Sequence, residues 1–309
     1  MAQALAAQLG TSEAEILVSS TGVIGQHMPI EKIEAGVRTS FPLLSETGGS
    51  DAAEAIMTTD TFAKEAAVTF LLDGVKVTMG GMAKGSGMIA PNMATMLSFI
   101  STDAKIAPWL LQEALGEATK RSFNRITVDG DTSTNDMVIV LANGMAGNRE
   151  LSGVNDPAFA QFYNALEYLL VKLSKMIVLD GEGATKFVEI VVTGAKSEEE
   201  ADRAARSVAN SSLVKTAIHG EDANWGRILA AVGYSGIDFN PAETTVHFGD
   251  VPILKRNYDI AFSEEEAAKV LARKEIAITV DLHQGSHQAI FWTCDLSKEY
   301  VNINANYRS

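Results

Sequence analysis

Residues 80–99, GGMAKGSGMIAPNMATMLSF, constrain the fold more than any other stretch of the chain. Four glycines, a lysine and a proline crowd into this one segment. Glycine loses more backbone freedom on ordering than any other residue, so this density predicts a loop, not the interior of a helix or strand. The run before it, AVTFLL and VKVTM around Asp73-Gly74, has the pattern and turn dipeptide of a β-hairpin. The run after it, MATMLSFI, is apolar and uncharged and is expected to be buried. A glycine loop leading into a buried Thr95 is a place where backbone N–H groups can surround a reactive hydroxyl.

Common motifs do not account for this loop. A Walker A loop needs Gly-Lys-Ser/Thr in that order, and the order here is Lys84-Gly85-Ser86. Gly85-x-Gly87-x-x-Ala90 formally fits the dinucleotide fingerprint. Pro91 follows it, however, and the matching acidic residue about 20 positions on, at the end of a second strand, is not apparent. Gly85-Ser86-Gly87 lacks the Gly-x-Ser-x-Gly spacing of a hydrolase elbow. The residues alone leave a structural glycine loop and a catalytic one both open.

Other candidates fall in the same way. Asp129 to Asp136 begins like a calcium loop, but Thr134 stands where glycine is required and Val140 where glutamate is required. A hydrogen-bonded turn feeding a strand over 137–141, with a supporting role beside a site, is expected instead. His283 and His287 are four apart, but Gly285 between them argues for a solvated turn over a helical zinc pair. No metal site is expected. A net charge of −14 repels phosphate backbones, which argues against nucleic-acid partners. The single cysteine, Cys294, excludes an intrachain disulfide, fits a reducing compartment and reads as a small apolar strand residue. There is no apolar run long enough to span a membrane and no basic-then-apolar leader, so a cytoplasmic protein without membrane partners is expected.

Taken in order, residues 1–9 read as a helix stopped by Gly10, and residues 16–19 as a short strand. An amphipathic helix begins at Pro29, with Ile30, Ile33 and Val37 on one face. Ser50 reads as the cap of a helix that delivers Thr58-Thr59-Asp60-Thr61. Pro108 starts a helix with Leu111, Ala114, Leu115 and Ala118 on one side. Asp156-Pro157 opens a long one whose core stripe is Phe159, Phe162, Leu166, Leu169, Leu173 and Ile177. Glu182 then falls in a loop before a strand over 186–192. From about Thr193 the pattern becomes a strand–helix alternation, which divides the chain into domains 1–193 and 194–309. Ser197 to Glu200 and Ser263 to Glu266 are capping boxes, so their glutamates are structural. Residues 276–282 and 289–295 read as paired strands around the His-containing turn. The polar end, NINANYRS, would fray on its own composition.

One family carries these segments together. KGSGMIAPNMATML (84–97) resembles the self-cleavage segment of the ornithine acetyltransferases, the bifunctional glutamate N-acetyltransferases of arginine biosynthesis. SSTGVIG (19–25), AIMTTDT (55–61) and SFNRITVDGDTSTND (122–136) agree with it. So do DGEGATK (180–186), HGEDANWGRI (219–228) and the ending WTCDLSKEYVNINANYRS (292–309). The resemblance runs the length of the chain in one order. It implies an α/β (α+β) fold, with a layered αββα catalytic domain, a smaller α/β domain and a C-terminal tail that returns to the active site. Family members carry a further N-terminal segment, and the chain is expected to lack it.

The resemblance also implies a chemistry. A threonine hydroxyl needs a base, and no histidine or aspartate adjoins Thr95 in sequence. Self-cleavage between Ala94 and Thr95 supplies one by freeing the Thr95 α-amine. Thr95 would then carry an acetyl group from N-acetylornithine to glutamate, with Thr21 and Gly22 as oxyanion donors. By the same resemblance Lys84 meets the substrate carboxylate and Glu182 the amine of ornithine, while Thr58, Asn304 and Ser309 orient the substrate. No cofactor is implied, with acetyl-CoA as an additional donor in bifunctional members. The two chains made by cleavage are expected to associate as a heterotetramer of two of each. Two rival expectations stand beside this one: an N-terminal-nucleophile amidohydrolase or aminopeptidase, and a truncated, inactive fragment.

Overall fold

A computed structural model describes residues 1–90, 96–260 and 262–306, and it is a mixed α/β protein. Helices α1 (Ala2–Leu9), α2 (Ile30–Ser40) and α3 (Gly49–Ala55) come first. Strands β1 (Lys64–Leu72), β2 (Val75–Lys84) and β3 (Leu97–Thr102) follow, then α4 (Pro108–Arg121), β4 (Met137–Ala142) and α5 (Pro157–Leu179). The remainder begins with β5 (Phe187–Ala195), α6 (Glu198–Asn210), α7 (Ser212–His219) and α8 (Trp225–Gly233). It ends with β6 (Thr245–Phe248), β7 (Val251–Leu254), α9 (Glu264–Leu271), β8 (Glu275–Asp281), β9 (His287–Cys294) and α10 (Lys298–Asn306).

Among the described residues the first sheet has the order β1-β2-β3-β4, antiparallel except for the parallel β3–β4 pair. Its hairpin forms because Asp73 and Gly74 both take positive φ, 50° and 83°, matching the twist of the flanking strands. Helix α5 packs across this sheet. Asp156 accepts a hydrogen bond from the Ala158 N–H at its start, and Phe162, Leu166, Leu169, Leu173 and Ile177 are wholly buried. The glycine-dense loop begins later than the sequence predicts, because Gly80 and Gly81 lie inside β2. The cause is close packing. A Cβ on Gly81 would sit 3.0 Å from Ile100 and 3.3 Å from Leu173, so the helix approaches the sheet only where a side chain is missing.

The second sheet has the order β7-β6-β8-β5-β9. It begins at Phe187, and Thr193 lies within its strand β5. Helix α6 packs on β5 and β9, burying Ala201, Ala204, Ala205, Val208 and Ala209. The two halves touch: Ile126 bridges Trp292, and Phe187, Trp292 and Cys294 join the core beneath α5.

Several sequence expectations are corrected. Residues 16–19 form no strand; Leu17 and Val18 are exposed and pair with no described strand. Ser50 is not a cap, since Gly48 holds that position and the Ser50 hydroxyl donates to Glu65 at 2.9 Å. Strands β8 and β9 do not pair with each other, because β5 lies between them. Their connection crosses the end of β5, where Gln284 N–H donates to Gly194 O, and a Cβ on Gly285 would fall 2.2 Å from Ala195 O. The helices α6, α7 and α8 run in succession, which is not the simple alternation expected. The C-terminal residues as far as Asn306 are helical. Among the described residues no helix is long and apolar enough to cross a membrane.

Candidate active site

A cavity of about 200 Å³ lies where the loop after β2 meets the turn after α5 and the end of α10. Its lining includes Thr21, Gly22, Thr58, Lys84, Glu182 and Asn304, six residues that the sequence scatters across the chain. Thr95, its neighbour Ala94 and the terminal Ser309 lie outside the described residues.

Each side chain has an identifiable support. Lys84 is the last residue of β2; it is buried and donates to Thr58 Oγ1 at 2.8 Å. Burial pushes its ammonium below the usual lysine range, the Asp60 and Glu182 carboxylates act against that shift, and Lys64 adds to it. Glu182 follows the last turn of α5, and its N–H donates to Ser86 O at 2.8 Å. Its carboxylate occupies the space where a Gly87 Cβ would be, within 2.5 Å, so Gly87 must be glycine for Glu182 to enter. Asn304, on α10, donates to Glu182 Oε2 at 2.8 Å. Helix α10 itself is brought in by Ser297, whose hydroxyl donates to Gly183 O at 2.6 Å.

Beneath these residues is a buried ionic group that the sequence did not reveal. Lys64 Nζ bridges Asp60 at 2.6 Å and Asp180 at 2.5 Å, and all three side chains are almost fully buried. Asp60 also accepts the Gly85 N–H at 2.7 Å and the Thr58 N–H at 3.1 Å, and Asp180 accepts the Thr61 N–H at 2.9 Å. Burial alone would raise the Asp60 carboxyl, but the Gly85 N–H, Lys64 and the Thr58 N–H outweigh it and hold it below the usual range. The sequence carried no signal for this group, because a lysine at the start of a strand is normally exposed. Thr59, Ser86, Ser133, Thr134 and Asn135 add polar groups to the wall beside the apolar Val23, Ile24 and Met88, with Thr59 and Ser86 hydroxyls 2.6 Å apart.

The cavity therefore presents a cation and an anion of opposed sign with hydroxyls and amides between them. That arrangement suits a small zwitterion with a carboxylate at one end and an ammonium at the other. Among the described residues no three His, Cys, Asp or Glu side chains group so as to hold a metal ion.

Comparison with known proteins gives a consistent result. A model of the ArgJ family matches residues 1–309. The arginine biosynthesis bifunctional protein ArgJ of Chlorobium chlorochromatii is 57% identical over 309 residues, covering 100% of this chain and 71% of that one. The protein of the same name from Symbiobacterium thermophilum is 52% identical over 309 residues, covering 100% of this chain and 77% of that one. In the crystal structure of the arginine biosynthesis bifunctional protein argJ from Bacillus halodurans, 100% of that chain superposes on 69% of this one. Its TM-score is 0.67 and its identity 50%.

Proposed function

The chain belongs to the ArgJ family, and from that premise we propose that it moves an acetyl group from N-acetylornithine to glutamate in arginine biosynthesis. The observation that carries this reading is the convergence of Lys84, Glu182, Thr58, Asn304, Thr21 and Gly22 on one cavity. Lys84 takes the substrate α-carboxylate and Glu182 the side-chain ammonium of ornithine. Because both substrates share the amino-acid skeleton, one cavity serves both halves of the transfer.

Thr95 is the nucleophile. Its Oγ attacks the Ala94 carbonyl carbon, the hydroxyl proton passes to the departing nitrogen, and the Ala94–Thr95 amide becomes an ester. Water then splits the ester, leaving the Ala94 carboxylate and a free Thr95 α-amine. Such an amine titrates at about 7.7–8.0, so a usable fraction is unprotonated at neutral pH and accepts the hydroxyl proton in the next step. Thr95 Oγ attacks the acetyl carbonyl, ornithine leaves with a proton, and glutamate removes the acetyl from the ester. Thr21 and Gly22 stabilise the oxyanion in each half, where one lost donor typically costs about 2.7–4 kcal/mol of barrier.

The test is acetyl transfer from N-acetylornithine with and without glutamate. Ornithine release that depends on glutamate supports the transferase, whereas release at the same rate without it identifies a hydrolase. Repeating the assay with acetyl-CoA as donor decides whether the chain has the second activity of bifunctional relatives.

A further inference from the structure

The turn from Asp129 to Asp136 grips the chain at two points. The Asp129 carboxylate accepts the N–H groups of Met88 at 2.6 Å and Ile89 at 3.0 Å. Asp136 Oδ1 accepts the Met96 N–H at 2.7 Å, and the Met137 N–H donates to Met96 O at 2.9 Å. Between the two aspartates, Ser133, Thr134 and Asn135 line the candidate cavity. One turn thus anchors the backbone at positions that bracket Thr95 in sequence. We propose that Asp136 is a positioning residue for the nucleophile, fixing the N–H of the peptide that joins Thr95 to Met96. This rests on the reading of Thr95 given above.

The other carboxyl oxygen says which form of Asp136 does this. Among the described residues, Asp136 Oδ2 and Asn124 Oδ1 are both buried without a hydrogen-bond partner. They border one void with Met96, Thr119, Phe123, Met137 and Val138, none of them charged. That void has about 0 Å³ for a water molecule, so no solvent bridge fits. A proton on Oδ2 removes the buried charge that no described partner offsets, while Oδ1 still accepts from Met96. Burial pushes the Asp136 carboxyl up to about 7, with the Met96 N–H opposing only in part. The sign follows: the folded chain holds this proton more tightly than an unfolded one, whose carboxyl titrates near 3.8. The stabilising contribution is complete below that value and is withdrawn as pH climbs through about 7.

The experiment follows splitting of the chain in wild type, Asp136→Ala, Asp136→Asn and Thr95→Ala, with amide hydrogen exchange read at Met96. Asp136→Ala is expected to split about ten- to a hundredfold more slowly, the scale for a displaced reacting group. Asp136→Asn keeps one acceptor and one donor and recovers most of the rate. Exchange at Met96 accelerates in Asp136→Ala while exchange at Ile100, within β3, does not. Wild-type splitting in Asp136→Ala, Asp136→Asn as slow as Asp136→Ala, or unchanged Met96 exchange would each overturn the proposal. Splitting that persists in Thr95→Ala would instead remove the nucleophile reading. If wild type does not split, Met96 exchange still decides whether Asp136 anchors that peptide.

Discussion

The two sheets are kept in order by different kinds of contact. Around the first, carboxylates reach backbone N–H groups across long stretches of chain: Asp60 to Gly85, Asp129 to Met88 and Ile89, Asp180 to Thr61, with the Asp136 carboxyl reaching Met96 in the same way. Around the second, α6 lays a row of alanines on β5 and β9, and α6 and α9 start on the serine caps Ser197 and Ser263. Apolar packing is non-directional and tolerates small shifts, whereas a charge-assisted hydrogen bond is short, directional and about twice as strong as a neutral one. Both sheets bury an apolar core; the first carries these directional contacts in addition, and they fix atoms in place around the cavity. Asp295 stands at the junction and belongs to the first kind, holding the Thr185 and Lys186 N–H groups at 2.7 and 2.8 Å just beyond Glu182.

This contrast breaks first at Lys64. Lys64→Met would leave Asp60 and Asp180 buried without their cation, and removing one partner of such a group costs about 3–5 kcal/mol. Chemical denaturation should register that loss, and acetyl transfer by the folded fraction should fall as well, since Thr58 and Gly85 hang from Asp60. Loss of stability without loss of transfer would erase the distinction between the two regions.

Acid is the next lever. Burial would raise both Asp60 and Asp295, but Gly85, Lys64 and Thr58 hold the first below its usual value, and Thr185, His219 and Lys186 the second. A carboxyl lowered on folding stabilises above its unfolded value near 3.8, and that contribution is lost as pH falls through the lower folded value. Denaturant midpoints should therefore decline below about pH 4, and Asp60→Asn should flatten part of the decline. An equally steep slope in that variant would place the acid sensitivity elsewhere.

The smallest effect sharpens the comparison from the other side. Ser197→Ala removes the acceptor for the Glu200 N–H at the start of α6 and should cost about 1 kcal/mol of stability. Transfer by the folded enzyme should be unchanged, because among the described residues no hydrogen bond of the cavity passes through this cap. A change in kcat would show that the second region also sets the site.

What could be read in the sequence follows the same division. Local signals survived in part: Asp73-Gly74 fixed the hairpin, Asp156-Pro157 with its apolar stripe gave α5, and Ser197 and Ser263 cap their helices as expected, though Ser50 does not. Features that depend on distant partners did not. Gly80 and Gly81 read as loop because the reason for Gly81 is Leu173, on a helix far along the chain. Strands β8 and β9 read as a pair because nothing in their own residues announces that β5 separates them. Residues 16–19 have strand-like composition and no described strand to pair with. At the site, the resemblance named Thr21, Gly22, Thr58, Lys84, Glu182 and Asn304, all of which line the cavity. The Asp60–Lys64–Asp180 group beneath them was invisible, since its members read as a turn, a strand edge and a helix end.

Intact mass spectrometry after incubation with N-acetylornithine tests the central claim most directly. The account predicts two chains separated between Ala94 and Thr95, an acetyl adduct on the chain that begins with Thr95, and its disappearance when glutamate is added. One unbroken chain without an adduct, or an adduct that persists in Thr95→Ala, would contradict it.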